Sequence, residues 1–213
     1  MSEKELMIAM AIGDGCVTKG GSLQLTNSVK QEEYFFYKRN LLIENGIKCL
    51  KIHTYEPSGF GKNKTLRTST SATFKGKELR KYLYPNGIKI IPNDLEITPF
   101  MWSIIYQDDG RQNKISHYNK FINGEKTRID VDPWVNRYTL YTDSFDENSI
   151  QNLKSSLKSY GIESAISYSN KNKYPHIHIR KKESKTLFRN LILPFIHESM
   201  MYKLNLPTHI IQK

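Results

Sequence analysis

The chain has 213 residues, 38% of them hydrophobic, with 13 Tyr and 9 Phe, a composition that excludes a disordered polymer and fits a folded core. Its formal net charge of +11 points to a polyanionic partner, of which nucleic acid is the commonest. No stretch approaches the ~20 apolar residues of a membrane span, and Glu3 and Glu5 argue against a signal or transit peptide.

In chain order, the first predicted helix covers roughly 3–14 and stops at Asp14-Gly15. A hairpin turning at Gly20-Gly21 follows, with Leu23 and Leu25 alternating against Gln24 and Thr26. An amphipathic helix over about 30–45 ends at Gly46, a residue suited to a left-handed C-cap. Strands are expected near 48–55 and 64–71, then a helix over about 75–84. The Pro92–Pro99 stretch marks a boundary, placing one unit at 1–92 and a second at 93–213. The second unit opens with a helix over 98–109 that stops at Asp109-Gly110. An extended hairpin at 111–138 turns at Asn123-Gly124, a strong type I′ signal, and its arms carry Lys114, Lys120, Lys126 and Arg128. A helix over 146–160 ending at Gly161, strands at 164–169 and 174–180, and a helix over 183–193 complete the chain.

The two units are copies of one pattern. Offset by 115 residues, Leu23-Gln24-Leu25-Thr26 falls on Tyr138-Thr139-Leu140-Tyr141, Phe35 on Ile150, Leu42 on Leu157, and Gly46-Ile47 on Gly161-Ile162. Asp14-Gly15 matches Asp109-Gly110 at an offset of 95, so the second copy holds about 20 extra residues in its hairpin. Cys16 and Cys49 show no zinc spacing and suit a reducing interior, consistent with an intracellular, soluble protein.

Each first helix ends in a carboxylate, where the helix dipole is negative and a cation would be the stabilising choice. A single Asp-Gly after a helix is commonly a stop signal and nothing more. Two at matched positions suggest that the helices pack side by side, with Ala9, Gly13 and Ser103 allowing close approach, and that the acids converge. Converging carboxylates repel, and a hard divalent cation such as Mg²⁺ or Mn²⁺ relieves the conflict.

Met7-Ile-Ala-Met-Ala-Ile-Gly-Asp14-Gly15 and Ser103-Ile-Ile-Tyr-Gln-Asp-Asp109-Gly110 resemble the two motifs of single-chain LAGLIDADG homing endonucleases. Lys89-Ile-Ile-Pro92 and Met200-Met-Tyr-Lys203-Leu204 resemble the segments that hold active-site lysines in that family. Met7 and Ile8 depart from the usual opening Leu-Ala, and Asp108 stands where the first copy has Gly13. The resemblance implies an α+β fold of two pseudo-symmetric αββαββα halves, whose antiparallel sheets form a saddle on DNA. It further implies metal ligation at Asp14 and Asp109 with Gly13 and Asp108 beside them, and catalytic roles for Asp14, Asp109, Lys89 and Lys203. The alternative reading of Lys89 and Lys203 is a phosphate contact or a helix C-terminal charge.

The expected function is site-specific cleavage of both DNA strands with Mg²⁺, Mn²⁺ substituting, by a monomer with pseudo-twofold symmetry. The target would be a non-palindromic duplex of ~20 bp, about one turn per half. The residues expected to meet DNA are Gln24, Thr26, Lys51, His53, Arg67 and Ser69 in the first half. In the second half they are Thr139, Tyr141, Ser167, His176, His178 and Arg180, with the four basic residues of the hairpin arms. His176-x-His178 lacks an evident third metal ligand. The alternative is a binding-only protein of the same fold, an RNA-splicing maturase or a DNA-binding regulator. His-Asn-His and GIY-YIG nuclease chemistry find no matching residues.

Overall fold

A computed structural model describes residues 2–57, 62–113, 117–122, 124–130, 137–169 and 174–205. The first half runs α1 (Glu3–Ile12), β1 (Cys16–Val17), β2 (Leu23–Ser28), α2 (Glu32–Glu44), β3 (His53–Tyr55), β4 (Thr65–Ser69) and α3 (Phe74–Leu83). The second begins with α4 (Pro99–Asp109) and β5 (Gly110–Asn113), then inserts β6 (His117–Ile122) and β7 (Glu125–Asp130). It continues with β8 (Arg137–Tyr141), α5 (Glu147–Ser159), β9 (Ala165–Ser169), β10 (Tyr174–Ile179) and α6 (Lys182–Ile192). Without the insertion both halves follow the same αββαββα order. Their antiparallel sheets share one topology, β1-β2-β4-β3 and β5-β8-β10-β9.

The central helices are α1 and α4, which pack on each other. Ser2 caps α1 by accepting from the Glu5 N–H at 3.1 Å, and Thr98 caps α4 by accepting from the Met101 N–H at 3.3 Å, with Pro99 in the first turn. Neither helix is amphipathic. Leu6 through Ile12 and Phe100 through Gln107 are buried all round, because each helix has a helix on one side and a sheet on another. Ala9 and Ser103 are both fully buried, as expected of small residues at a helix contact.

The second helix of each half terminates identically. Gly46 has φ 80° and Gly161 has φ 73°, and Ile47 and Ile162 donate back to the carbonyls of Leu42 and Leu157 at 2.9 and 3.0 Å. This is the Schellman arrangement, and the left-handed φ explains the glycine in both copies.

Three expectations are revised. The strand expected over 48–55 is only His53–Tyr55, because residues 48–50 make an isolated Cys49–Thr70 bridge and the Thr68 hydroxyl takes the Leu50 carbonyl at 2.9 Å. The extended hairpin divides: β5 pairs with β8, while β6 and β7 form a separate two-stranded ribbon turning at Gly124, φ 82°. After α6 the chain adds two 3₁₀ segments, Leu193–Phe195 and Glu198–Leu204, not anticipated from periodicity. Among the described residues no helix is long and apolar enough to cross a membrane.

Candidate functional site

The C-terminal tips of α1 and α4 meet. The Asp14 backbone N–H donates to Oδ2 of Asp108 at 2.8 Å, across the pseudo-twofold axis. A Cβ at Gly13 would stand 2.1 Å from that same oxygen, so only glycine admits the Asp108 carboxylate here. Gly15 is equally constrained, since a Cβ there would fall 2.3 Å from the Met10 carbonyl oxygen. Glycine therefore surrounds the first acid because a carboxylate on one side and backbone on the other approach closely, not merely because the helix must stop.

The Asp108 carboxylate is committed to two partners within the protein. Oδ2 takes the Asp14 N–H, and Oδ1 accepts from Lys38 Nζ at 2.8 Å. Both side chains are wholly shielded from water, and the ammonium also stands 4.6 Å from the centre of the Tyr34 ring. Lys38 was missed by motif reasoning, although a signal existed. With Tyr34, Phe35 and Leu42 it lies on the inward stripe of α2, where a lysine demands a partner.

The acids Asp14 and Asp109 lie at the mouth of this junction, Asp14 exposed and Asp109 half-buried. Crowding by protein, then the charge of Asp108, raise the Asp14 carboxyl from its ordinary 3.8 to about 6, against the lowering effect of Lys38, Lys203 and Lys89. Water at its open edge tempers that rise. Burial, then the charges of Asp14 and Asp108, push Asp109 up to about 7. Two acids raised by burial and by neighbouring carboxylates, with surrounding lysines insufficient to offset it, favour an added cation.

Neither α1 nor α4 has a basic residue in its last turn. The missing charge comes from elsewhere in the chain. Lys89 Nζ donates to the carbonyls of Ala11, Gly13 and Gly15 at 3.0, 2.8 and 3.3 Å. Lys203 Nζ donates to the carbonyl of Asp108 at 2.8 Å, while the Tyr106 hydroxyl holds the Lys203 carbonyl at 2.7 Å. Both lysines thus answer orphan carbonyls at helix ends. Burial lowers the pKa of each, and the three nearby aspartates oppose that fall.

The donor set suits a hard divalent ion. Among the described residues no group of three or more His, Cys, Asp or Glu is arranged to hold a metal. Two carboxylates with no thiolate or imidazole beside them among the described residues match the way Mg²⁺ is held better than the way Zn²⁺ is held. A cleft of about 640 Å³ opens beside Asp109, lined by Arg111, Gln112, Tyr141, Tyr202, Lys203 and Asn205. The similar cleft between the start of α1 and α3 lies at the opposite end of α1, where Glu3 is paired with Lys75 at 2.6 Å.

The outer sheet faces are polar. In the first half, Leu23 and Leu25 are buried against helices while Gln24 and Thr26 sit half-buried on the other face. The register sets Gln24 beside Ser69, Thr26 beside Arg67, and His53 beside Arg67. Arg67 stacks its guanidinium 4.5 Å from the ring centre of Tyr55, and Lys51 is exposed just before β3. In the second half, Ser167, Tyr141 and His176 occupy the corresponding face, with Arg180 exposed beyond it, and His176 Nε2 pairs with Asp143 at 2.8 Å.

Thr139 and His178, expected to meet DNA, share that face but are only 1% and 3% exposed. The His178 ring is bonded on both sides, Nδ1 to the Thr139 hydroxyl at 2.9 Å and Nε2 to the Ser167 hydroxyl at 2.6 Å. Burial, then the charges of Arg137 and Arg180, lower its pKa to about 4, so the imidazole is neutral at pH 7. Arg111, opposite Thr139 and exposed, was not singled out from the motif, although it directly follows Asp109-Gly110. Lys114 lies outside the described residues; Lys120, Lys126 and Arg128 lie on β6 and β7, and their side chains are outside the description.

Comparison with known proteins bears on this arrangement. The uncharacterized protein MJ1098 of Methanocaldococcus jannaschii is 28% identical over 198 residues, spanning 91% of this chain and 70% of that protein. The homing endonuclease I-WcaI, solved bound to its DNA recognition sequence, is similar in fold, with a TM-score of 0.71 and 24% identity over 95% of this chain and 85% of that one. The N-terminal LAGLIDADG domain of DUF199/WhiA superposes with a TM-score of 0.51 and 11% identity over 90% and 82% of the two chains. A model of the LAGLIDADG DNA endonuclease family matches residues 4–187, a span that takes in both acidic helix tips and both four-stranded sheets. The chain belongs to the LAGLIDADG DNA endonuclease family.

Proposed function

We propose that this chain is a site-specific endonuclease that hydrolyses both strands of a long, asymmetric DNA duplex and leaves staggered ends. The observation that carries the reading is the meeting of Asp14 and Asp109 at adjoining helix tips, with both carboxyls raised in pKa by crowding and by neighbouring carboxylates. Asp14 and Asp109 would hold Mg²⁺, or Mn²⁺ in its place, with the Gly13 and Asp108 carbonyls alongside. When bound, such an ion neutralises phosphate charge and activates water for in-line attack.

The remaining roles fall to the chain itself. Lys89 and Lys203 stand over the helix tips, where an ammonium stabilises charge building on a phosphate. The sheet faces bearing Gln24, Thr26, Arg67 and Ser69 in one half, and Tyr141, Ser167 and His176 in the other, would read base edges in the major groove. These faces differ in chemistry, so the target would be non-palindromic, ~20 bp long if each half follows about one turn. Lys51, His53, Arg111 and Arg180 lie exposed and would meet backbone phosphates. One chain already carries both halves and both acids, so a monomer suffices.

A binding-only role has one observation in its favour. All three donors of the Lys89 ammonium go to helix-end carbonyls, a use that needs no catalysis. The paired acids weigh against it, because a binding-only protein gains nothing from two destabilising carboxylates. The test is a plasmid library with randomised inserts, incubated with Mg²⁺ and sequenced for linearised molecules. Asp14→Asn and Asp109→Asn should each abolish linearisation while retaining binding in Ca²⁺; full linearisation by either would overturn the reading.

A further inference from the structure

The repeat breaks at two coupled positions. Where the second half has Asp108 the first has Gly13, and where the first half has Lys38 the offset of 115 places Leu153 in the second. Leu153 is fully buried on α5, as Lys38 is on α2. The first half thus supplies Lys38 and Gly13 and the second Asp108 and Leu153, so the charged pair forms across the halves while the symmetry-related positions are leucine and glycine. A buried ion pair is poor evidence of stabilisation, because desolvating two charges consumes most of what their attraction supplies. Apolar groups would satisfy packing at less cost, and the symmetry-related positions, Leu153 and Gly13, carry no charge.

What the ion pair accomplishes is local. Asp108 Oδ1 is held by Lys38, which leaves Oδ2 fixed against the Asp14 N–H at 2.8 Å. The Asp109 backbone, by contrast, lies within its own helix α4. We infer that Lys38 is a positioning residue: through Asp108 it pins the residue that carries the first acid, so that one of the two acids depends on a cross-half latch and the other does not. The inference rests on the proposed nuclease function only for its consequence, which is that the two strands depend unequally on Lys38.

The test uses the full chain, with Lys38→Met and the double variant Lys38→Leu with Asp108→Gly. The double variant recreates the Leu153 and Gly13 combination and removes both buried charges, so it should fold even where the single does not. Amide hydrogen exchange at Asp14 should speed up by about tenfold or more in the double variant, reflecting the lost charged hydrogen bond, while amides near the end of α4 keep their rates. On a plasmid target that the wild-type chain linearises, the double variant should cut one strand about tenfold more slowly than the other and accumulate open circles. A latch that serves only stability predicts the reverse, a refolded double variant that cuts both strands at the wild-type ratio. That ratio, or unchanged Asp14 exchange, would overturn the inference. If the wild-type chain cuts no target, the nuclease reading fails, and the exchange measurement still decides the latch.

Discussion

Lys89 and Lys203 donate to the same position of the two helix tips. Nζ of each lies 2.8 Å from the carbonyl oxygen of the residue before an acid, Gly13 in one case and Asp108 in the other. The pseudo-symmetry stops there, because Lys89 also bonds the Ala11 and Gly15 carbonyls. Lys89→Met should therefore lower stability by about 1–3 kcal/mol, and Lys203→Met by less, since fewer buried acceptors are orphaned. Cleavage should rank oppositely, as the Lys203 ammonium keeps donors for phosphate. Thermal unfolding and nicking rates on one target would check both orders, and equal effects would remove the distinction.

Gly13 is the contact on which the helix tips close. Gly13→Ala places a methyl where Asp108 Oδ2 now stands, 2.1 Å from the ideal Cβ. Overpacking of this kind costs about 1–3 kcal/mol. Combined with Asp108→Gly, the same substitution should cost clearly less than the sum of the two singles. Urea denaturation of the four chains gives the coupling directly, and strict additivity would show that the tips do not touch.

The Asp109 carboxyl gives a pH dependence of definite sign. Its folded pKa of about 7 lies above the ordinary 3.8, so the protonated form favours folding. That contribution is complete below the ordinary value and is lost as pH rises through about 7. In EDTA, the stability of Asp109→Asn relative to wild type should therefore improve between about pH 4 and about pH 7. Saturating Mg²⁺ should reverse the trend for wild type, since a cation favours the carboxylate. A difference that stays flat with pH in EDTA would show that the acid is not crowded.

The β6–β7 ribbon belongs to one half only. Deleting 116–130 and closing the gap with a short turn should weaken DNA binding through the second half-site and leave the first unchanged. Footprinting on hybrid targets, each with one half-site randomised, separates the two. Equal loss on both would remove any role for the ribbon in binding.

Much of the architecture is legible without coordinates, because it is encoded locally. Glycine at 46 and 161 follows from the left-handed turn that ends each second helix, and the alternation of Leu23, Gln24, Leu25 and Thr26 follows from the pleat of a strand. The repeated Asp-Gly at 14 and 109 announces an energetic conflict at two helix ends, which is visible from dipole and charge alone. The internal repeat then yields the twofold plan. Strand boundaries are not encoded locally where a side chain replaces a ladder bond, as where the Thr68 hydroxyl donates to the Leu50 carbonyl.

Only tertiary structure decided who partners whom. Lys38 and Asp108 are 70 residues apart, and Lys203 reaches Asp108 from a 3₁₀ turn that carries no hydrophobic periodicity. His178 alternates correctly for an outward residue and is nevertheless buried, because two hydroxyls on adjacent strands close over its ring. Periodicity reports which face a residue occupies. It carries no information on what lies opposite that face, and for charged groups in a crowded junction the opposite partner sets the chemistry.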